Sequence, residues 1–436
     1  EEETPQDFTP TFEVSDYIKQ QILNVAAESL GSPYRGGGTT PAGFDCSGFV
    51  TYTLNQFDIS LPRNSAEMAQ IGKRILKKDA KPGDLIFFKT NGSIPFDLFA
   101  ASFYLISRYE EYLPYEKDMY GRYAHTNSVA FQNNFLHLPM VNLWLLELEK
   151  ICQQKIVDFK LLNSRFCFIP TYDIDIAFRY RYHAVFRNIG GFFKDFITAN
   201  FESITERALV YSGKSKDPFD VYDWLQEIHS TYQLNPVYFF LMAKKLKGYD
   251  RNIATNSLGF KKLIQQITTK NSVGIHPSWQ SGDDEKLLGE EIQTLQQVCN
   301  NKIKDSRQHY IRMDLPNTYR LLIQNKIAND YSMGYGSING FRASYTLPFK
   351  WFDLEKKEST SLMLYPFCYM DANAFFEEKL SAEEAAISLQ AYHDIVKKVN
   401  GTFITIYHNH FLTKQPQWLR WRNVYHDFLK NNFILY

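Results

Sequence analysis

The sequence predicts an α/β protein whose larger part carries parallel strands, as a sheet or a barrel. Three observations predict it. From about residue 160 onward, short apolar runs alternate with helical patterns. Several of those runs end in Asp, His or Arg, and in α/β domains the C-terminal strand ends hold the site. Phe, Tyr and Trp make up 16% of the 436 residues, enough aromatic area for a large core.

Composition narrows the function. Lys plus Arg number 48 and Asp plus Glu number 48, so the formal net charge is zero. That excludes a strongly basic nucleic-acid binder and argues against a polybasic membrane-surface protein. Five cysteines without a CxxC pair form neither a disulfide framework nor a zinc knuckle. The longest strongly apolar runs, such as 99–106, are too short to span a bilayer. The acidic start, Glu1-Glu2-Glu3, is not a signal peptide. The periplasm or cell envelope is expected if a leader was removed, the cytoplasm otherwise.

Elements follow in order. Apolar residues at helical spacing predict a helix over 14–30, ended by Gly31. A Gly-rich loop over 34–43 leads to a helix over 46–56, a turn at 61–64 and a short helix over 66–71. Lys81-Pro82-Gly83-Asp84 is a turn, and 85–88 a buried strand. Residues 94–113 form a long aromatic helix, and 138–156 another, with Pro139 in its first turn. Strands are expected at 166–172, 237–242, 273–275, 309–312, 362–365 and 402–407. Between them fall helices at 208–211 or longer, 220–232, 259–268, 284–300, 315–325 and 382–399.

Asp45-Cys46-Ser47-Gly48-Phe49-Val50 follows the Gly-rich loop and opens a helix. A helix N-terminus offers partial positive charge and free N–H groups, which favour a nucleophilic thiolate. Gly48 would let a substrate backbone approach closely. An isolated Cys is otherwise a buried structural residue. The ordered set Ser32-Pro33-Tyr34-Arg35-Gly36-Gly37, Phe44 to Val50, Leu61-Pro62-Arg63-Asn64-Ser65 and Lys81 to Phe88 resembles the NlpC-type cysteine peptidases of bacterial cell walls. The resemblance covers about residues 14–90. It implies Cys46 as nucleophile, with Tyr34, Asp45 and Ser47 at the substrate, and peptidoglycan stem peptides as that substrate. The family's base is a His shortly after the Pro-Gly-Asp-Leu segment, whereas this chain has no His before His125. The expectation is an incomplete papain-like α+β module over 1–93 with an impaired site, followed by an unrelated domain.

Phe168-Ile169-Pro170-Thr171-Tyr172-Asp173-Ile174-Asp175 is an apolar strand whose two carboxylates share a face. Val273-Gly274-Ile275-His276 and Phe403-Ile404-Thr405-Ile406-Tyr407-His408 end in histidines, and Ser306-Arg307-Gln308-His309 adds a fourth segment. Carboxylate and imidazole suit zinc and, less selectively, other divalent ions. One carboxylate can ligate while the other takes a proton from bound water. Taken singly, each Asp could cap a helix and each His could sit satisfied at the core edge.

In this order the segments resemble the polysaccharide deacetylase (NodB-like) superfamily, over about residues 94–436. A subgroup of uncharacterised deacetylase-like proteins shares Gly274-Ile275-His276-Pro277-Ser278-Trp279-Gln280-Ser281 and Met333 to Arg342. The resemblance implies a distorted (β/α) barrel over 161–436, preceded by a helical aromatic-rich lead-in over 94–160. It implies removal of acetyl groups from N-acetylated sugars with a divalent metal, zinc foremost. Asp173 would be the base, Arg307 its orienting partner and His408 the acid. Asp175 and His276 would bind metal. Catalytic zinc normally has three protein ligands, and His309 or His410 could supply the third. Trp279 is expected at the substrate. Ile174 separates the two aspartates, and Gln280 stands where the superfamily has a second His. The competing reading is a glycan-binding or vestigial protein, because fold alone does not fix function.

Overall fold

The computed structural model describes residues 16–433, apart from 30–31, 33–34, 36, 72–74, 76–78, 80, 82, 86, 88–95, 155, 157, 162, 184 and 199. The chain forms two compact units, Glu1–Asp97 and Leu98–Tyr436. The expected junction at Ser93 lies outside the described residues.

In the first unit, α1 (Asp16–Glu28) precedes a small antiparallel ribbon, β1 (Thr39–Thr40) with β2 (Gly43–Phe44). Helix α2 (Cys46–Asn55) and the single turn α3 (Ser65–Met68) follow. Phe44 packs at 5.7 Å from Phe49 and 5.1 Å from Tyr52. The reason for Gly48 differs from the one expected. A Cβ there would lie 2.0 Å from the Gly38 carbonyl oxygen, so the Gly-rich loop itself crosses the helix at this point. Of the expected strand 85–88, Leu85 and Phe87 are exposed and in no strand, and the other two residues lie outside the described ones.

The second unit begins with α4 (Leu98–Ile106), α5 (Val129–Gln132) and α6 (Met140–Gln153, with Pro139 as N-cap). The expected continuous helix over 94–113 is broken. Arg108 adopts a left-handed conformation (φ 56°), and a short 3₁₀ turn covers Tyr109–Tyr112. Its guanidinium explains the break. Arg108 is buried, pairs with Glu110 and Glu111 at 2.8 and 2.7 Å, and donates to the Arg342 carbonyl. Glu111 also accepts from Arg342 at 2.8 and 2.5 Å.

Nine strands then form one sheet: β3 (Cys167–Ile174), β4 (Val237–Leu241), β5 (Ser272–His276), β6 (Asp305–Ser306), β7 (Asn329–Asp330), β8 (Phe349–Asp353), β9 (Glu358–Leu364), β10 (Tyr369–Met370) and β11 (Thr402–His408). Their order is β10-β11-β3-β4-β5-β6-β7-β9-β8, parallel throughout except for the β8–β9 hairpin. The order runs sequentially from β3 to β9 and resumes with β10 and β11 on the far side of β3. Strands wound around an axis do this, although among the described residues no pair joins β8 to β10. The connecting helices are α7 (Val185–Ile197), α8 (Phe201–Tyr211), α9 (Tyr222–Thr231), α10 (Leu258–Thr268), α11 (Glu285–Cys299), α12 (Asn317–Gln324) and α13 (Ala382–Lys398), and α14 (Pro416–Asn432) ends the unit. Helices α7 and α14 and the β8–β9 hairpin were not expected.

Alternation along β3 organises the core. Tyr172 and Ile174 face the helices, where the Tyr172 hydroxyl meets His229 Nε2 at 2.8 Å and the Tyr425 hydroxyl at 2.5 Å. Thr171 and Asp173 face the other way and meet Arg307. The expected strand over 309–312 is absent. Its place is taken by a tight turn, His309–Ile311, with Tyr310 and Ile311 at φ 58° and 53°. Among the described residues no helix is long and apolar enough to cross a membrane.

The buried charges predict a stability cost. Glu111→Ala leaves Arg108 and Arg342 buried without their shared carboxylate, so a loss of about 3–5 kcal/mol is expected in urea unfolding. A loss below about 1 kcal/mol contradicts this reading of the network.

Candidate active site and metal centre

Parallel pairing brings the strand ends to one edge. His408 stands opposite Asp173, and Leu241 opposite His276. The loops after β3 and β6 add Asp175, Arg307 and His309. The structure therefore gathers Asp173, Asp175, His276, Arg307, His309 and His408 in one place.

Asp175 is the centre. Its Oδ1 lies 3.2 Å from His276 Nε2, and its Oδ2 lies 3.7 Å from His309 Nε2 and 3.6 Å from His408 Nε2. Burial disfavours its charge, but His309, His276 and His408 outweigh burial and hold the carboxyl well below the usual range. Asp175 Oδ1 is buried and accepts no hydrogen bond.

Each imidazole is fixed from behind. His276 Nδ1 donates to the Arg307 carbonyl at 2.5 Å, His309 Nδ1 meets Asp250 at 3.0 Å, and His408 Nδ1 meets Asp371 at 2.7 Å. Tying Nδ1 turns Nε2 toward the site, as metal-ligating histidines require. Asp175, His276 and His309 each offer a ligand atom, and these atoms lie within 4.8 Å of one another. Two imidazole nitrogens and an unpartnered carboxylate oxygen fit a divalent ion.

The remaining groups differ in electrostatics. Arg307 is fully buried and donates to Asp173 Oδ1 at 2.9 Å and Thr171 Oγ1 at 2.6 Å. Asp173 Oδ2 lies 3.8 Å from His276 Nε2. Burial opposes the charge of His408, yet Asp371, with Asp175 and Asp173, raises its pKa to about 10. His309 likewise rises to about 9 against burial, through Asp175 and Asp250. His410 is pushed down to about 3 by burial and by the neighbouring His408, and it takes no place in the cluster of ligand atoms.

Two orienting residues, Asp250 and Asp371, escaped the sequence. Asp250 is buried and also accepts from the Trp279 N–H at 2.9 Å and from Gln280 Nε2 at 3.0 Å. Gln280 thus supports the carboxylate that holds His309. Trp279 lies within an aromatic cluster with Tyr120, Tyr249 and Tyr310, at ring separations of 4.3 to 6.2 Å. Tyr310 adjoins His309 at 4.8 Å. Tyr249 and Tyr310 are exposed, so the cluster offers an open apolar face beside His309.

In the first unit, Cys46 is exposed at the start of α2. Asp45 caps the helix through Gly48 N–H at 2.7 Å, accepts from Gly37 N–H at 2.9 Å and binds Arg63 with both oxygens at 2.9 and 2.8 Å. The Arg63 hydrogen bond is the main cause that holds this carboxyl at about 2. Ser47 Oγ accepts from Arg63 Nη1 at 2.7 Å. Asp45 and Ser47 therefore brace the loop around the thiol, and Arg63, to which the sequence assigned no role of its own, joins them. Tyr34 lies outside the described residues. His125 belongs to the second unit, where its Nδ1 lies 2.9 Å from Ser337 Oγ.

Comparison with known proteins finds matches to different stretches of the chain. A family described as a family of unknown function (DUF7033) matches residues 46–157. The probable endopeptidase NlpC of Escherichia coli (strain K12) is 54% identical over 61 residues, 14% of this chain and 40% of that protein. The gamma-DL-glutamyl hydrolase of Bacillus subtilis (strain 168) is 40% identical over 80 residues, 18% of this chain and 19% of that protein. The chain thus spans about two fifths or less of these curated relatives. A putative polysaccharide deacetylase from Mycobacterium smegmatis aligns at a TM-score of 0.40 and 11% identity, over 63% of this chain and 87% of that one. A probable polysaccharide deacetylase from Pseudomonas aeruginosa PAO1 aligns at 0.40 and 9%, over 62% and 85%.

The charge on His408 yields a pH prediction for metal-free protein. A raised folded-state pKa contributes stability that is complete below the unfolded value of about 6.5 and lost as pH rises through about 10. Asp371→Asn is expected to lower the His408 titration, followed by NMR, by at least about one unit. An unchanged titration contradicts the role given to Asp371.

Proposed function

We propose that the chain is a hydrolase of cell-wall or polysaccharide amide bonds, and that its second unit removes acetyl groups from N-acetylated sugars with a divalent metal, zinc foremost. The observation that carries the proposal is the convergence of Asp175, His276 and His309, with both imidazoles tied from behind. Two histidines and a carboxylate leave a coordination position open, as catalytic zinc sites do. Bound there, the ion would polarise the acetyl carbonyl and make water acidic enough to attack near neutral pH.

The chain's own residues divide the proton transfers. Asp173, held at Oδ1 by Arg307, keeps Oδ2 toward the site to take the proton from the attacking water. His408, kept as an imidazolium by Asp371, points Nε2 into the site to protonate the leaving sugar nitrogen. The carbon–nitrogen bond breaks, and acetate and a free amine result. The aromatic face of Trp279, Tyr249 and Tyr310 offers stacking for a pyranose ring.

The first unit supports a second reading, a peptidoglycan endopeptidase module with Cys46 as nucleophile. Its thiolate would need a base, and residues 1–124 hold no His. This half of the proposal is a module of low or no activity.

Three measurements follow. Elemental analysis is expected to find about one divalent ion per chain, lost in Asp175→Ala and in His309→Ala; absence of metal in every sample sinks the deacetylase reading. Asp173→Asn is expected to keep the metal and lose about 10²–10⁴-fold in acetate release from an N-acetylated oligosaccharide; full activity in that variant removes Asp173 as base. Stem-peptide cleavage that Cys46→Ala abolishes would show an active peptidase instead of an impaired one.

A further inference from the structure

The neutral total charge conceals a segment of different character. It begins just beyond β3, after Asp175, and closes at Asp217, whose buried carboxylate accepts from the backbone N–H groups of Arg179, Tyr180 and Arg181 at 2.8, 2.8 and 3.0 Å. Between these pinned ends lie α7 and α8.

Helix α7 is amphipathic, and it is docked with its polar side inward. At 100° per residue, Phe192, Phe193, Phe196 and Ile197 share one side, and Gly191 and Asp195 lie on the other. Surface helices normally bury the apolar stripe. Here the polar side meets α8. Asp195 pairs with Arg207 at 2.7 Å, and a Cβ on Gly191 would lie 2.7 Å from the Arg207 guanidinium. The apolar side faces outward, with Phe193, Phe196 and Ile197 exposed by 59%, 60% and 80%, and Phe201 continues it at 63%. Four large apolar side chains on one outward patch mark an interaction surface.

Charge selects the occupant. Residues 176–216 carry seven basic and three acidic side chains; with the pairs Arg179–Glu206, Arg207–Asp195 and Lys216–Asp223 set aside, four basic residues stand against Glu202, a surplus of three in a chain that is neutral overall. A second copy placed on this face by a two-fold axis would set that surplus against itself. An anionic lipid surface attracts it and also accepts phenylalanine at the headgroup boundary. We infer that α7, with the start of α8, is an interfacial anchor that lays its phenylalanine face on an anionic membrane surface. The anchor lies in the plane of the interface and spans nothing. It stands independently of the proposed hydrolysis.

Co-sedimentation of the full chain tests it, with vesicles of phosphatidylcholine alone and with about one third phosphatidylglycerol. Binding is expected to the anionic vesicles, at least about tenfold weaker to the zwitterionic ones and weakened by about 0.5 M salt. Phe193→Ser/Phe196→Ser is expected to lose at least about tenfold in anionic-vesicle binding with unchanged circular dichroism and thermal unfolding. Ile197→Ser, at the most exposed position, serves if the double variant does not fold. No vesicle binding by the parent, or equal binding by parent and folded variants, overturns the inference. So does a concentration-dependent dimer that these variants dissociate, which would give the face to a second copy.

Discussion

His408 lies opposite Asp173 in the β11–β3 pair, and the β4–β5 pair sets His276 level with Leu241. This in-register parallel pairing is the constraint on which the site depends. A slip of one residue in β3 would turn Thr171 and Asp173 toward the helices and Tyr172 toward the site. Tyr172 opposes such a slip, because its buried hydroxyl is hydrogen-bonded to both His229 and Tyr425 on the helix side. The core side of the strand thus holds Thr171 and Asp173 in register.

From that register the electrostatics follow. One carboxylate, Asp175, faces three imidazoles, and each imidazole is anchored to a group behind it. Arg307 serves twice: its side chain holds Asp173 and its carbonyl holds His276. Asp250 holds His309 while accepting from the Trp279 backbone N–H and the Gln280 side chain, which ties His309 to the segment that carries the aromatic face beside it. Burial disfavours the charges of Asp175, His309 and His408, and in the metal-free protein their pairing with one another and with Asp250 and Asp371 outweighs it.

The strand ends were legible because short continuous apolar runs ending in Asp or His carry their own signal, as at Asp173, Asp175, His276 and His408. The strand expected over 309–312 was misread. His309-Tyr-Ile-Arg has strand composition, but left-handed Tyr310 and Ile311 turn the chain so that His309 reaches Asp175. The aromatic helix over 94–113 had the right periodicity, yet burial of Arg108 among Glu110, Glu111 and Arg342 overrode it, and Arg342 is distant in sequence. Asp250 and Asp371 were invisible because each is a single acidic residue without spacing to a partner. Only tertiary structure brings them behind His309 and His408. Helix α7 has strong helical periodicity, but no pattern shows which side of it faces inward.

The central claim is that His276 at the end of β5, His309 in the turn after β6 and Asp175 just beyond β3 form a metal site. X-ray absorption on protein loaded with one equivalent of zinc tests it most directly. The account predicts a shell of two imidazole nitrogens with oxygen donors at about 2.0–2.2 Å, reduced to one imidazole in His309→Ala. A sulfur scatterer near about 2.3 Å, or an all-oxygen shell unchanged in His309→Ala, would contradict it.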